Sequence, residues 1–285
     1  MALLSPRPHK NRRRFLKVAA GGLALGAVAA GNGFWYEPRT LSITRKGVEV
    51  ANLPPALKGL RCGVIGDLHF RPGTDDHVVA ECVERANAED LDLIFIVGDY
   101  VEGRDTHGIP PMMEILKGIR AKHGVYAVMG NHDGWSAPMT TVRRPFIQAG
   151  IEFLINQNTL IDINGDKLAI AGTDFIWEGK PDLSKTFGGI ASELPVIAMV
   201  HEPDFFDEVV NVRPGVLQLS GHTHGGQCRV PFRSKPPVTV KWGKKYVYGE
   251  YAAADSKLFV TRGLGTTGIR VRFACRPELA VLTLS

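Results

Sequence analysis

Three short runs of metal-ligand residues each follow an apolar, strand-like run, and that repetition narrows the folds open to the chain. Asp67-Leu68-His69 follows Cys62-Gly63-Val64-Ile65-Gly66. Gly98-Asp99 follows Leu93-Ile94-Phe95-Ile96-Val97, and Gly130-Asn131-His132-Asp133 follows Val125-Tyr126-Ala127-Val128-Met129. Further on stand His201, after Val196 to Val200, and the run Gly221-His222-Thr223-His224-Gly225-Gly226-Gln227. One such motif is weak. The whole series, each member at a strand exit, describes a two-metal centre on an α/β scaffold.

The segments between these runs support that scaffold. Leu60–Ile65 is predicted as a strand, and Asp76–Ala88 as a helix with Val78, Val79, Cys82 and Val83 on one face. Leu91–Val97 is continuously apolar, as a strand covered on both faces should be. Pro110–Lys122 is predicted as a helix opening on proline, Gly124–Met129 as a strand and Met139–Ala149 as a helix. This β-α-β-α-β rhythm gives parallel strands joined by right-handed crossovers. An edge strand is expected at Leu41–Thr44. The second half is a series of short strands: Thr159–Ile163, Lys167–Ala171, Pro195–Val200, Gly215–Leu219, Tyr246–Tyr248, Leu258–Thr261 and Leu279–Leu284. One clear helix, Asp204–Val210, interrupts them. These strands are expected to form a second sheet, packed face to face on the first, within one domain spanning 37–285.

Two divalent ions close together need hard oxygen and imidazole ligands and a carboxylate to bridge them. The motifs supply such a set without any thiolate. Asp67 and His69, two apart at a strand exit, can turn toward one ion. Asp99 is the natural bridge. Asn131 offers a neutral carbonyl oxygen, and His222 and His224 point the same way by the period of two. Five of the nine histidines fall within this pattern. His9, His77, His107 and His123 lie outside it. Asp174 and Glu202 lie near motif strands but are not expected as ligands.

The series Asp-x-His, Gly-Asp, Gly-Asn-His-Asp, a later His and Gly-His-Thr-His-Gly-Gly resembles the calcineurin-like metallophosphoesterase superfamily over roughly residues 60–226. Thr261-Arg262-Gly263-Leu264-Gly265, Cys275-Arg276-Pro277-Glu278 and the basic N-terminus extend the resemblance to an exported bacterial branch, the YkuE/YaeI-like predicted phosphohydrolases. The resemblance implies a four-layer α-β-β-α sandwich of two mixed sheets flanked by helices. It also implies two divalent ions (Mn, Fe, Zn or a mixture), one held by Asp67, His69, Asp99 and His224. The other would be held by Asp99, Asn131, His201 and His222. A hydroxide between the ions would be the nucleophile. His132 would stabilise the phosphoryl oxygens or protonate the leaving group, and Asp133 would orient His132. The implied reaction is hydrolysis of a phosphodiester or pyrophosphate, with UDP-2,3-diacylglucosamine as one substrate class in lipid A synthesis. A broad phosphodiesterase on envelope or nutrient phosphoesters and a non-catalytic metal-binding module are the competing readings. Trp135 and Phe175-Ile176-Trp177 are expected to rim the site or to pack in the core. Arg262, Arg270, Arg272 and Arg276 are expected to clamp phosphate or to lie solvated on strand faces.

Charge separates the N-terminus from the rest. The chain carries a formal +5, with 34 basic and 29 acidic residues. Arg7, Lys10, Arg12, Arg13, Arg14 and Lys17 are six of the basic ones, with no acid among residues 1–17. Without those six the remaining 28 stand against 29 acids, a net of −1, so no nucleic-acid partner is expected. Arg12-Arg13-Arg14 followed by the Ala/Gly-rich run from Val18 to Ala30 resembles a twin-arginine export signal within residues 1–36. The twin-arginine machinery is then a partner, and the body works in the periplasm or otherwise outside the cytoplasm. A retained anchor is the alternative, with Phe34-Trp35-Tyr36 touching the membrane surface, although Gly31-Asn32-Gly33 is expected to break the apolar run. The four cysteines show no CxxC spacing, and nothing selects a disulfide pair. Replacing Arg12 and Arg13 together by lysine should hold the protein in the cytoplasm. Cell fractionation that finds the double variant exported as usual would remove the twin-arginine reading.

Overall fold

The structure, a computed structural model, describes residues 9–103, 106–230, 233 and 236–285. The N-terminal helix α1 spans His9–Gly31 and runs on through a π-helical turn, Asn32–Tyr36, and a short 3-10 turn, Glu37–Arg39. Then follow β1 Ser42–Val48, β2 Arg61–Ile65, α2 Asp76–Ala88, β3 Leu93–Ile96, α3 Ile109–Leu116 and β4 Val125–Ala127. Next come α4 Asn131–Ser136, α5 Met139–Gln148, β5 Glu152–Phe153, β6 Gln157–Ile163, β7 Asp166–Gly172 and α6 Leu183–Phe187. The chain ends with β8 Val196–Met199, α7 Phe206–Val212, β9 Val216–Ser220, β10 Gly249–Ala253, β11 Ser256–Val260 and β12 Glu278–Leu284.

Two six-stranded mixed sheets result. One has the order β1-β12-β2-β3-β4-β5, the other β10-β11-β9-β8-β7-β6. β2 through β5 are parallel neighbours, as are β7, β8, β9 and β11. The period of two sorts each strand's side chains between layers. Ile94 and Ile96 of β3 pack under α2, α3 and α5, while Leu93 and Phe95 face the second sheet. Ile170, Ile197 and Leu217 meet them from that sheet. Ala169, Ala198 and Leu258 turn to a third core against Phe187 of α6 and Phe206 of α7. The four-layer sandwich expected from the resemblance is therefore present.

Several expectations change. Leu279–Leu284 joins the first sheet as β12, parallel to β1 and antiparallel to β2. It fits there because its alternate residues feed both cores that flank that sheet, Val281 on one side and Leu282 on the other. Tyr246–Tyr248 is not a strand: the Asp204 carboxylate accepts the N–H groups of Lys244, Lys245 and Tyr246 and draws that backbone into a turn. β10 begins only at Gly249. The helix expected over 110–122 stops at Leu116, and Asn87 holds the following turn through the Gly118 carbonyl. Short α4 and α6 lack enough turns to show a period. Gly31-Asn32-Gly33 does not break the N-terminal helix, because the π turn carries the chain across.

Arg272 explains how the last loops are fixed. Its side chain is fully buried and donates to the carbonyls of Arg262, Gly263, Gly265 and Cys275. Arg262 instead binds the buried Glu278, Ser42 and Thr44, and Arg270 donates to the Thr74 carbonyl. Arg276 stacks over Tyr36. Arg262, Arg270 and Arg272 brace loops and strands, so neither expected role, phosphate clamp or solvated face, describes them, while Arg276 is exposed as the solvated reading has it. Arg272→Ala would strand several buried carbonyls at roughly 1–3 kcal/mol each. The variant should lose about 3 kcal/mol or more of stability in denaturant unfolding, and a shift within error of wild type would refute this role.

Candidate metal centre

Each candidate ligand follows the end of a strand. Asp67 and His69 follow β2, Asp99 follows β3, Asn131 opens α4 after β4, His201 follows β8, and His222 and His224 follow β9. Sheet one thus contributes four of the seven residues and sheet two contributes three. The exit loops are tied before any ligand binds. Asp67 N–H donates to the Gly98 carbonyl at 2.9 Å and His69 N–H to the Asp99 carbonyl at 3.1 Å. His222 N–H crosses between the sheets to Asp67 Oδ1 at 2.7 Å.

Five of these ligand positions have left-handed backbone: Asp67 (φ 48°), His69 (39°), Asp99 (56°), His222 (72°) and His224 (51°). Such a conformation costs a non-glycine residue on the order of 1–3 kcal/mol and persists where its surroundings over-determine it. The motif glycines serve close approach. A Cβ on Gly130 would fall 2.2 Å from Asp99 Oδ1, and one on Gly221 2.5 Å from Asp67 Oδ2. Any side chain at either position would displace a carboxylate.

Among the described residues the donor atoms gather in three adjoining groups: one is His69 with Glu102 and His132, and the other two are Asp67 with His69 and His224, and Asp99 with His201 and His222. Asp99 Oδ2 faces both of the latter, 3.1 Å from His201 Nε2 and 3.5 Å from His69 Nε2. The Nε2 atoms of His69 and His224 approach to 3.0 Å. Asp67 Oδ2, Asn131 Oδ1, His201 Nε2 and His224 Nδ1 are buried with no hydrogen-bond partner, which polar atoms in a folded interior rarely are. These residues fit divalent cations, and a set of carboxylate, amide and imidazole donors suits Mn, Fe or Zn.

Other groups fix which nitrogen of each ring turns inward. His201 Nδ1 lies 2.6 Å from the Val97 carbonyl, and His222 Nε2 lies 2.7 Å from that of Lys241. Each such contact leaves the opposite nitrogen for a metal. Glu102 Oε2 lies 2.6 Å from His69 Nδ1 and does the same for that ring. The sequence reading missed Glu102, since an acid three residues past Asp99 on a loop follows no period. Its other oxygen accepts the Gly268 N–H.

Electrostatics agree with this division. Burial alone would raise the Asp99 carboxyl, but His201 and His69 hold it well below the usual carboxylate range. Burial would lower His69, yet Asp99 and Glu102 bring it up to about 9. Burial, with the charge of His201, pushes His222 down to about 3 and keeps its ring neutral. Burial pushes Asp67 up to about 6. Without a cation, protons on the imidazoles balance Asp99, so cation binding and proton release are coupled.

The expected contact of Asp133 with the His132 ring is replaced by another. The Asp133 carboxylate accepts backbone N–H groups from Asp99, Tyr100, Val101 and Gly130. It lies wholly buried beneath the start of α4 and locks that helix to the Asp99 loop. It therefore positions Asp99 and His132 through the backbone. His132 donates its own N–H to Asp99 Oδ1 at 2.8 Å, and its largely buried ring faces a cavity of about 550 Å³. Asp99, Asn131, His222 and His224 also line the cavity. Trp135 and Trp177 form one wall, with ring centroids 4.8 Å apart. Phe175 and Ile176 turn into the cores instead. Glu202, fully buried, accepts the N–H groups of Ile176 and Trp177, and Asp174 accepts those of Phe175 and Lys180. All four cysteines are free.

Comparison with known proteins agrees with this geometry. The family description "calcineurin-like phosphoesterase" matches residues 60–226. The chain is 34% identical to the uncharacterized metallophosphoesterase YkuE of Bacillus subtilis, over 96% of this chain and 97% of that one. It is 30% identical to the phosphodiesterase YaeI of Escherichia coli, over 96% and 99%. It is 27% identical to a transmembrane protein with a metallophosphoesterase domain from Danio rerio, over 92% of this chain and 61% of the relative.

Because Asp99 Oδ2 faces two of the donor groups, Asp99→Ala should bring bound metal toward zero and abolish hydrolysis. Elemental analysis finding as much metal as in wild type would remove Asp99 from the centre.

Proposed function

The chain belongs to the calcineurin-like phosphoesterase family, a metal-dependent phosphoester hydrolase, and from that premise we propose a hydrolase of phosphodiester or pyrophosphate bonds acting outside the cytoplasm. The observation that carries this reading is the junction of two features. Oxygen and imidazole donors, several with unpaired buried atoms, gather at one end of the cavity, which Asp99, Asn131, His222 and His224 line, and its other walls are largely apolar and aromatic. Asp67, His69, Asp99 and His224 would hold one ion, and Asp99, Asn131, His201 and His222 a second. Bound divalent cations would supply an acidified water and neutralise phosphoryl oxygens.

The chain's own residues do the rest. Asp133 and Gly130 fix α4, so that His132 meets the cavity at a set angle. Burial lowers the pKa of the His132 ring, which keeps it neutral near pH 7 and able to donate a hydrogen bond to a phosphoryl or leaving oxygen. Trp135 and Trp177 cover the ester's alcohol portion and exclude water from that side.

Among the described residues none lining the cavity is Lys or Arg. A monoester dianion calls for more fixed positive charge than a diester monoanion. This favours diesters. UDP-2,3-diacylglucosamine would suit the apolar wall, but an exported site stands across the membrane from the face where nucleotide-linked precursors are made. An envelope phosphodiester is therefore the preferred substrate class. Export by the twin-arginine route and retention by the N-terminal helix both put the site on that side.

Metal-loaded protein should give a higher kcat/KM for ethyl p-nitrophenyl phosphate than for p-nitrophenyl phosphate, and a monoester preference would defeat the proposal. His132→Ala should retain its metal while turnover falls roughly 10²–10⁴-fold, the scale of a lost acid–base group. Wild-type turnover in that variant would make His132 structural.

A further inference from the structure

The cavity and the N-terminal helix share a side chain. Val271 lines the cavity, and its Cγ2 also lies 3.3 Å from where a Cβ on Gly33 would stand. The contact is built, not incidental. Arg272 N–H donates to the Gly33 carbonyl at 2.9 Å, and the Glu37 carboxylate accepts the N–H groups of Ala274 and Cys275. Gly33 and Glu37 are buried, although the helix before them is exposed. The strap 269–275 thus ties the end of the helix to the mouth of the site.

Apolar side chains then stand in water on that same side. Ile269 is 70% exposed and Val238 73%, and both line the cavity. At the helix exit Trp35 is 70% exposed, with Phe34 and Tyr36 more than half exposed. The Arg39 guanidinium lies 4.0 Å over Trp35, and that of Arg276 5.3 Å over Tyr36. Aromatic rings with arginines beside them are what a membrane–water interface with anionic headgroups selects. The stretch Arg12–Arg39 is long and apolar enough to cross a membrane. Past Lys17 the uncharged stretch Val18–Tyr36 runs 19 residues, about 28 Å at 1.5 Å per residue, close to a hydrocarbon core of about 30 Å.

We propose that the mouth of the metal site rests on the membrane from which the N-terminal helix emerges, and that it takes a lipid phosphodiester from that bilayer. Val238, Ile269 and Val271 meet the acyl portion, and Phe34, Trp35 and Tyr36 set the depth. The phosphodiester lies over the metal ligands. Water adds to phosphorus, the bond to the leaving oxygen breaks, and the alcohol departs with the proton or, if acidic enough, as its anion. The substrate half of this proposal rests on the phosphodiesterase reading above; the membrane half does not.

The test uses the full chain, metal-loaded, in vesicles of phosphatidylethanolamine and phosphatidylglycerol. A photoreactive benzoylphenylalanine is placed at position 238 or 269, or at Leu160, an exposed apolar residue of β6 outside the cavity. Lipid adducts are expected at 238 and 269 but not at 160. In parallel, kcat/KM is measured for dioleoyl phosphatidyl-p-nitrophenol in the vesicles and for soluble ethyl p-nitrophenyl phosphate. Val238→Glu and Ile269→Glu should each lower the ratio of the two values about tenfold or more, the scale of removing one aliphatic side chain from an apolar contact. Absence of adducts at 238 and 269, equal adducts at all three positions, or an unchanged ratio would overturn the proposal. Adducts at 238 and 269 alone, with neither ester hydrolysed by wild type, would sustain the membrane seat and defeat both the phosphodiesterase reading and the lipid substrate.

Discussion

The Asp99 carboxylate is the point at which the two sheets are made to meet. It is buried and accepts the His132 N–H, and its Oδ2 faces His201 from the other sheet and His69 from its own. An isolated carboxylate in such a place would be costly. Compensation arrives through imidazoles that only the packing of one sheet on the other brings near. The sandwich therefore joins its layers by charge at the strand ends and by apolar contact along the strands. The His222 N–H on Asp67 and the His201 ring on the Val97 carbonyl belong to the same seam.

That seam also accounts for the strain around it. Left-handed backbone at five ligand positions keeps the loops short and turns their side chains inward. Asp133 stabilises this arrangement from below by collecting four N–H groups of two different loops. On the opposite side Arg272 collects the carbonyls of the loop that packs on Asp67. A buried acid and a buried arginine thus hold the loops as a pair of braces. This gives the otherwise irregular segment 262–275 a defined path, from the metal site to the end of the N-terminal helix.

The N-terminal helix is joined to the cavity through packed contacts. An export leader needs only charge and hydropathy and no fixed contact with the body. Here Gly33 and Glu37 are packed into it, and the π turn keeps the chain helical up to that contact.

The candidate ligand residues and the α/β rhythm were legible in the sequence because both are local. An apolar run followed by a hard donor repeats at each strand exit, and a strand's period of two shows in five residues. Asp67, His69, Asp99, Asn131, His201, His222 and His224 could be named from spacing and then grouped by resemblance. Glu102, Asp133 and Arg272 could not be assigned their roles that way. Their partners are a ring nitrogen across a loop, the N–H groups of a neighbouring strand exit, and carbonyls of a turn that exists only once folded. Placing β12 in the first sheet was likewise a tertiary decision, since an alternating apolar strand fits any sheet with two covered faces. Local sequence set the kind of element and the chemistry at its end. Long-range packing decided which sheet each strand joins, which polar group each buried side chain finds, and which apolar residues remain in water beside the site.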